Sequence, residues 1–240
     1  MGFGDKTNWI WSPSWGKEDE EKPGLLYFRK ELELGDTSVE GSLNISADTR
    51  YKLYINGILV SVGPCKGDRQ VWYFDTVDIT PYLKKGKNII AVSVLRYPVN
   101  PALGNHSLFR TFTPGLYVQG WISEKTKENI LSENRKRYEV VADENWKCRK
   151  NNNIQFLHEE EGFSPVMVHE NAIGDAAFSG WKTTDYDDSD WENARSYVIF
   201  EMPPAVSPGN LFSRTIPSMY RKKGTFKRVM DIKKSVFTAN

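Results

Sequence analysis

From Ile45 to Ile79 the chain reads ISADTRYKLYINGILVSVGPCKGDRQVWYFDTVDI, a pattern suited to a β-hairpin followed by a further strand. Tyr51, Leu53 and Ile55 alternate with Lys52, Tyr54 and Asn56, the two-residue period of a half-buried strand. Asn56-Gly57 supplies the pair that tolerates φ > 0 at both central positions of a type I′ turn, and Ile58 to Val62 is the return strand. Thr80-Pro81 then reads as an N-cap with proline at the first helical position, predicting one short helical turn over YLKK. Beyond Lys87-Asn88, the run IIAVSVL is continuously apolar, as a central strand covered on both faces requires.

The rest of the chain extends the same theme. Strands are expected over Leu25 to Leu34, Val39 to Ser46, Arg69 to Ile79, Asn88 to Leu95 and Leu108 to Ile122, the last broken by the turn at Pro114-Gly115. Tyr138 to Ala142 and Trp146 to Arg149 flank the turn Asp143-Glu144-Asn145, and Val166 to Glu170 and Tyr197 to Met202 complete the set. Residues 17–22 (KEDEEK) and 151–164 read as loops, and 97–105 as a long Pro/Gly/Asn loop. Lys125 to Arg137 is polar and suits a hairpin tip. Ser189 and Glu192 match a capping box, which predicts a helical turn at Trp191. Regular strands with almost no amphipathic helix define an all-β sandwich, mostly antiparallel. Its expected organisation is an N-terminal segment over 1–24 packing on the sandwich, with a ring of Trp9 or Trp11 buried; a sandwich over 25–202; and, over 203–240, a Pro-rich linker and the start of a following β-domain that is cut short.

Composition excludes several classes. The 32 basic and 31 acidic residues of this 240-residue chain leave a net charge of +1, which gives no electrostatic footprint for nucleic acid. No apolar stretch approaches a membrane span and the start has no signal-peptide core, so a cytoplasmic location is expected unless a leader has been removed. Cys65 and Cys148 are the only cysteines, far apart and without CxxC spacing, and His106, His158 and His169 show no ligand spacing, so no zinc site is expected. The 8 Trp, 11 Tyr and 12 Phe suit both a sandwich core and the stacking of rings on sugar faces.

Residues 46–68 (SADTRYKLYINGILVSVGPCKGD), the segment VWYFDTVDITPYLKKGKNIIAVSV, the opening WIW and YFRKELEL, and the later DYDDSDWENA together resemble the N-terminal β-domain of bacterial α-L-rhamnosidases of glycoside hydrolase family 78. That domain is similar to the galactose-binding-like jelly rolls of other glycosidases. The resemblance runs in order from Trp9 to Arg214. It implies that the catalytic acids belong to a helical barrel elsewhere in the parent chain, so no catalytic residue carries over. It also implies a structural calcium ion as the plausible cofactor, with Asp187-Asp188 and Asn151-Asn152-Asn153 as weak ligand loops. The chain departs from the family pattern before the DDSDW motif: Glu170 and Asp175-Ala176 match in part, and Ala177 stands where the family carries arginine.

Glycoside hydrolysis needs two carboxyl groups roughly 5–10 Å apart across the scissile bond. Glu159-Glu160-Glu161 would splay into solvent, and Asp185, Asp187 and Asp188 are explained by the start of the predicted helical turn. A sugar-binding site needs planar polar groups beside a ring, and the best constellation is Asp48, Arg50, Asp68, Arg69, Trp72 and Tyr73, with Arg96 and Tyr97 near in strand order. Against this, Asp48 could cap a turn, Arg50 could pair with Asp75 or Asp78, and Trp72 could be core. The leading expectation is a non-catalytic β-sandwich region of a rhamnosidase-like enzyme. It would support a catalytic barrel and further β-domains and contact a rhamnose-containing glycan. The alternatives are an independent carbohydrate-binding module and a self-contained glycosidase.

Overall fold

The computed structural model describes residues 8–35, 39–65, 67, 71–98, 113–124, 136–157, 169–172, 178–198, 211–218, 224, 225, 227, 228 and 230. Their strands are β1 (Asn8–Trp11), β2 (Gly24–Leu34), β3 (Val39–Asp48), β4 (Arg50–Ile55), β5 (Ile58–Gly63), β6 (Trp72–Asp78), β7 (Gly86–Arg96), β8 (Gly115–Glu124), β9 (Lys136–Val141), β10 (Lys147–Lys150), β11 (Ile154–Leu157), β12 (His169–Ala172), β13 (Glu192–Asn193), β14 (Arg195–Val198) and β15 (Leu211–Ser213). They form an all-β jelly-roll sandwich. One sheet has the order β14-β1-β8-β3-β6-β15 with β9 also on β8; the other runs β13-β10-β2-β7-β4-β5. Pairing is antiparallel except that β15 runs parallel to β6. The chain crosses between the sheets at most connections, so the inner faces interdigitate into one core.

Leu43 and Ile45 of β3, Leu53 and Ile55 of β4, Ile90, Val92 and Val94 of β7, and Val118 and Ile122 of β8 fill that core. The apolar run of β7 has two separate reasons. Ile90, Val92 and Val94 face the core, while Ile89 and Ala91 face outward beneath Trp181 and Trp191. Residues 178–191 lie over this outer face, and Tyr27 stacks on Trp181 with ring centroids 4.1 Å apart. Arg29, 1% exposed, pins them there. Its Nε donates to Asp188 at 2.6 Å, Nη1 to the carbonyls of Trp181 and Thr183, and Nη2 to that of Tyr186.

The predicted hairpin turn forms. Asn56 has φ 50° and Gly57 φ 86°, and Ile55 pairs directly with Ile58. Asn56 does more than turn the chain: its side-chain amide bonds Asn88 Oδ1 at 2.8 Å and the Tyr82 carbonyl at 2.9 Å, joining two turns. The helical turn after Thr80-Pro81 is a 3-10 turn over Thr80–Tyr82, its N-cap at Ile79 rather than Thr80. Both Trp9 and Trp11 are buried, because β1 is a strand within the first sheet, between β14 and β8.

Several local expectations are corrected by long-range partners. The capping box at Ser189 and Glu192 does not form. Asp187 accepts the Ser189 amide at 2.9 Å, and Glu192 lies in β13, its carboxylate accepting from Ser12 and Ser14. Residues 17–21 form a 3-10 turn, two of whose acidic side chains face the protein: Glu20 accepts from Trp15 and Arg96, and Asp19 pairs with Lys150. Ile154–Leu157, expected in a loop, pairs with His169–Ala172. The strands flanking Asp143-Glu144-Asn145 do not pair with each other; β9 joins the first sheet and β10 the second. The expected hairpin tip at 125–135, most of the loop at 97–105, the glutamate run 159–161, His106, His158, residues 175–177 and most of the stretch beyond 218 lie outside the described residues.

Candidate functional site

The topology gathers the predicted binding residues at one end of the sandwich. There β3 ends at Asp48, β4 starts at Arg50, β6 starts at Trp72 and β7 ends at Arg96. The registers Arg50↔Leu95, Tyr51↔Gly63 and Asp48↔Gly115 hold these ends level. Asp68 and Arg69 lie outside the described residues.

Being gathered is not the same as being available. Asp48 and Arg96 are both 0% exposed, with Arg96 Nη1 donating to Asp48 Oδ1 at 2.8 Å. Arg96 Nη2 donates to Glu20 Oε2 at 2.8 Å, and Glu20 Oε1 accepts from Trp15 Nε1 at 2.7 Å. Burial disfavours the Arg96 charge, but Asp48 and Glu20 outweigh it and raise its hold on the proton. Thr49 completes the network, its hydroxyl donating to Asp48 and accepting the Tyr97 amide at 3.1 Å. Trp72 is also buried: Nε1 donates to Ser46 Oγ at 3.1 Å and the ring belongs to a layer with Trp9 and Tyr117. The half-buried members are Arg50, whose Nη1 donates to the Pro64 carbonyl at 3.0 Å, Tyr73 and Tyr97. They make up the rim of this end of the sandwich, at the start of β4, in β6 and just after β7.

A second feature had no signal in local pattern. Between β5 and β6, the edge of one sheet and the next-to-edge strand of the other, an open cleft of about 360 Å³ is lined by Val60, Ser61, Asp75, Thr76, Arg214 and Ile216, among others. Asp75 is paired neither with Arg50 nor with a turn. Its Oδ2 accepts the Tyr51 hydroxyl at 2.5 Å, and Arg214 Nη1 donates to its Oδ1 at 2.9 Å. Arg214 belongs to the stretch read as a linker, which enters the first sheet as β15.

The loops suggested for calcium do not fit a cation. Asp188 is bonded to Arg29, Asp187 closes a turn onto Ser189, and Asn151 donates to the Tyr27 hydroxyl at 2.8 Å. Among the described residues no group of three or more His, Cys, Asp and Glu could hold a metal ion. Cys148 is buried, and desolvation followed by the nearby Glu192 charge pushes its thiol up, away from nucleophilic use. Among the described residues no helix is long and apolar enough to cross a membrane.

Fold and site together define an all-β jelly-roll module with a loop rim at one end and a polar cleft along one side. No protein-family profile matches the chain. It is similar to an α-L-rhamnosidase of Streptomyces avermitilis, 24% identical over 190 residues, which are 79% of this chain and 14% of that protein. Among solved structures it resembles the family 78 rhamnosidase of Bacillus sp. GL1, with TM-score 0.62 and 24% identity over 89% of this chain and 20% of the other. It also resembles the α-L-rhamnosidase of Aspergillus terreus, with TM-score 0.58 and 19% identity over 87% of this chain and 22% of the other. The chain therefore spans about a seventh to a fifth of the length of the rhamnosidases it matches, and its likeness to α-L-rhamnosidases is one of both sequence and fold.

Proposed function

We propose that this chain is a non-catalytic β-sandwich region of an α-L-rhamnosidase-like glycoside hydrolase, which supports a catalytic barrel and contacts carbohydrate at its loop rim. One observation carries the reading: nearly the whole chain matches a family 78 rhamnosidase fold, yet it accounts for only 20% of that enzyme. In this reading residues 25–202 supply most of the sandwich, and the N-terminal segment adds β1 to its first sheet. Residues 203–240 lead towards a further β-domain, with β15 holding the first part of that stretch to the first sheet. The partners are the remaining domains of such an enzyme and a rhamnose-containing glycan.

The predicted binding cluster divides by burial. Asp48, Arg96 and Trp72 shape the end of the sandwich from inside, and Arg50, Tyr73 and Tyr97 are assigned to the sugar; Asp68 and Arg69, outside the described residues, keep the assignment made from sequence alone. A guanidinium grips neighbouring hydroxyls and a phenol ring covers an apolar sugar face. Titration of the isotope-labelled chain with L-rhamnose and D-galactose, read by amide chemical shifts, tests this. Saturable shifts at Arg50, Tyr73 and Tyr97 are expected, and silence at all three rim signals refutes the rim assignment. The independent binding-module reading is favoured by one further feature, the polar side cleft.

A further inference from the structure

We propose that the cleft between β5 and β6 is a second ligand site, separate from the rim, that takes a small neutral polyhydroxylated molecule such as a single sugar ring. Its floor is built rather than incidental. The Asp75 side chain is 5% exposed and that of Arg214 14%. A buried ion pair contributes little stability beyond what packed apolar groups of the same size would give, so its presence under an open cleft asks for another use.

The floor has hydrogen-bonding capacity in a particular form. A carboxylate offers about four lone-pair directions, and Asp75 uses two of them on Tyr51 and Arg214. A guanidinium has five N–H groups in a fork. Arg214 directs Nε to the Ile216 carbonyl at 2.8 Å, Nη2 to that of Pro217 at 2.9 Å and Nη1 to Asp75. Both residues line the cleft, so the second hydrogen on each terminal nitrogen and the lone pairs of Asp75 beyond these bonds are the groups an occupant could meet. Each hydroxyl of a vicinal diol both donates and accepts, which matches acceptor and donor placed side by side. Because the pair neutralises itself, the floor favours neither a free anion nor a free cation.

The walls fit the same chemistry. Ser61, Thr76 and Ser213 line it too, with the Ser61 hydroxyl bonded to that of Tyr51 and the Thr76 hydroxyl donating to Asn44 Oδ1, while Val60, Ile216 and Tyr82 add apolar residues to the lining. The volume of about 360 Å³ falls at the lower end of small-molecule pockets. Arg214 also fixes the outer wall, since its amide donates to the Phe74 carbonyl at 2.9 Å and its side chain closes the turn through Ile216 and Pro217.

The choice of sugars as probes rests on the rhamnosidase-like reading, but the site is mapped independently of it. In the full chain titrated with L-rhamnose and with D-galactose, the amides of Ser61, Thr76, Ser213 and Ile216 should follow one saturable curve. Ile216→Trp fills the cleft from an exposed position and leaves the Ile216 carbonyl and the Asp75 pair in place. It should weaken the response at the cleft by about tenfold, 1.4 kcal/mol, with the rim response unchanged. Arg214→Lys, which keeps the charge and loses the fork, should weaken it likewise. Cleft amides that fail to saturate with either sugar, or that respond equally in Ile216→Trp, overturn the proposal and leave the pair as an anchor for β15. Rim shifts without cleft shifts refute this site alone; cleft shifts without rim shifts refute the rim assignment alone.

Discussion

Arg96 donates to Asp48 at 2.8 Å, and neither side chain has any exposure to solvent. The two residues close β7 and β3, so one charge pair ties the second sheet to the first. Removing one partner strands the other as an uncompensated buried charge. Arg96→Met is expected to destabilise the fold by about 3–5 kcal/mol in chemical denaturation. The double variant Asp48→Leu/Arg96→Met should lose clearly less than the sum of the two single changes. Additive losses would show that the pair is not coupled.

Arg29 is the corresponding anchor on the outer face of the second sheet. Arg29→Met leaves Asp188 and the carbonyls of Trp181, Thr183 and Tyr186 without their donor. A loss of about 2–3 kcal/mol is expected, with faster amide exchange confined to residues 178–191 and a red shift of tryptophan emission. Unchanged exchange in that segment would mean that the aromatic stack of Tyr27, Trp181 and Trp191 holds it unaided.

Gly63 is a packing requirement. A Cβ there would collide with the Asp75 carboxylate and the Tyr51 ring, whereas one at Gly16 meets nothing within 4 Å. Gly63→Ala should cost about 1–3 kcal/mol by overpacking, and Gly16→Ala should stay close to neutral. Equal effects at the two positions would contradict the geometry around Asp75.

The buried phenols set the alkaline limit of stability. Burial pushes Tyr117 up to about 12 from an ordinary 10.0, and Tyr51 and Tyr197 are raised further. A folded-state value above the unfolded one means that the neutral form is favoured by folding. The contribution is complete below pH 10 and is lost as pH rises through 12. Spectroscopic titration should show a tyrosine step at or above 12, accompanied by unfolding. A single step near 10 for all tyrosines would contradict the desolvation of these three phenols.

What was legible in the sequence is what local chemistry decides. Asn56-Gly57 specifies its turn through backbone conformation alone, and IIAVSVL announces a strand covered on both faces because no solvent-facing position interrupts it. Strand order also brought Asp48, Arg50, Trp72 and Arg96 to one end. Their burial was not legible, because it depends on Glu20, 76 residues from Arg96, whose run of charges reads locally as solvated. Glu192 shows the same effect, since its partner Ser12 is 180 residues away and overrides a sound local capping rule. The cleft was invisible for a related reason. Arg214 lies in Pro-rich sequence with no strand period, and the three residues of β15 take their form from the edge of β6.

The central claim is that this sandwich handles carbohydrate without cleaving it. Incubation of the purified chain with an aryl α-L-rhamnoside and with aryl glycosides of other sugars measures this directly. The account predicts release of the aryl alcohol no faster than in buffer alone. Turnover above that background, abolished by Asp75→Asn or another single carboxylate change, would contradict it and establish a self-contained glycosidase.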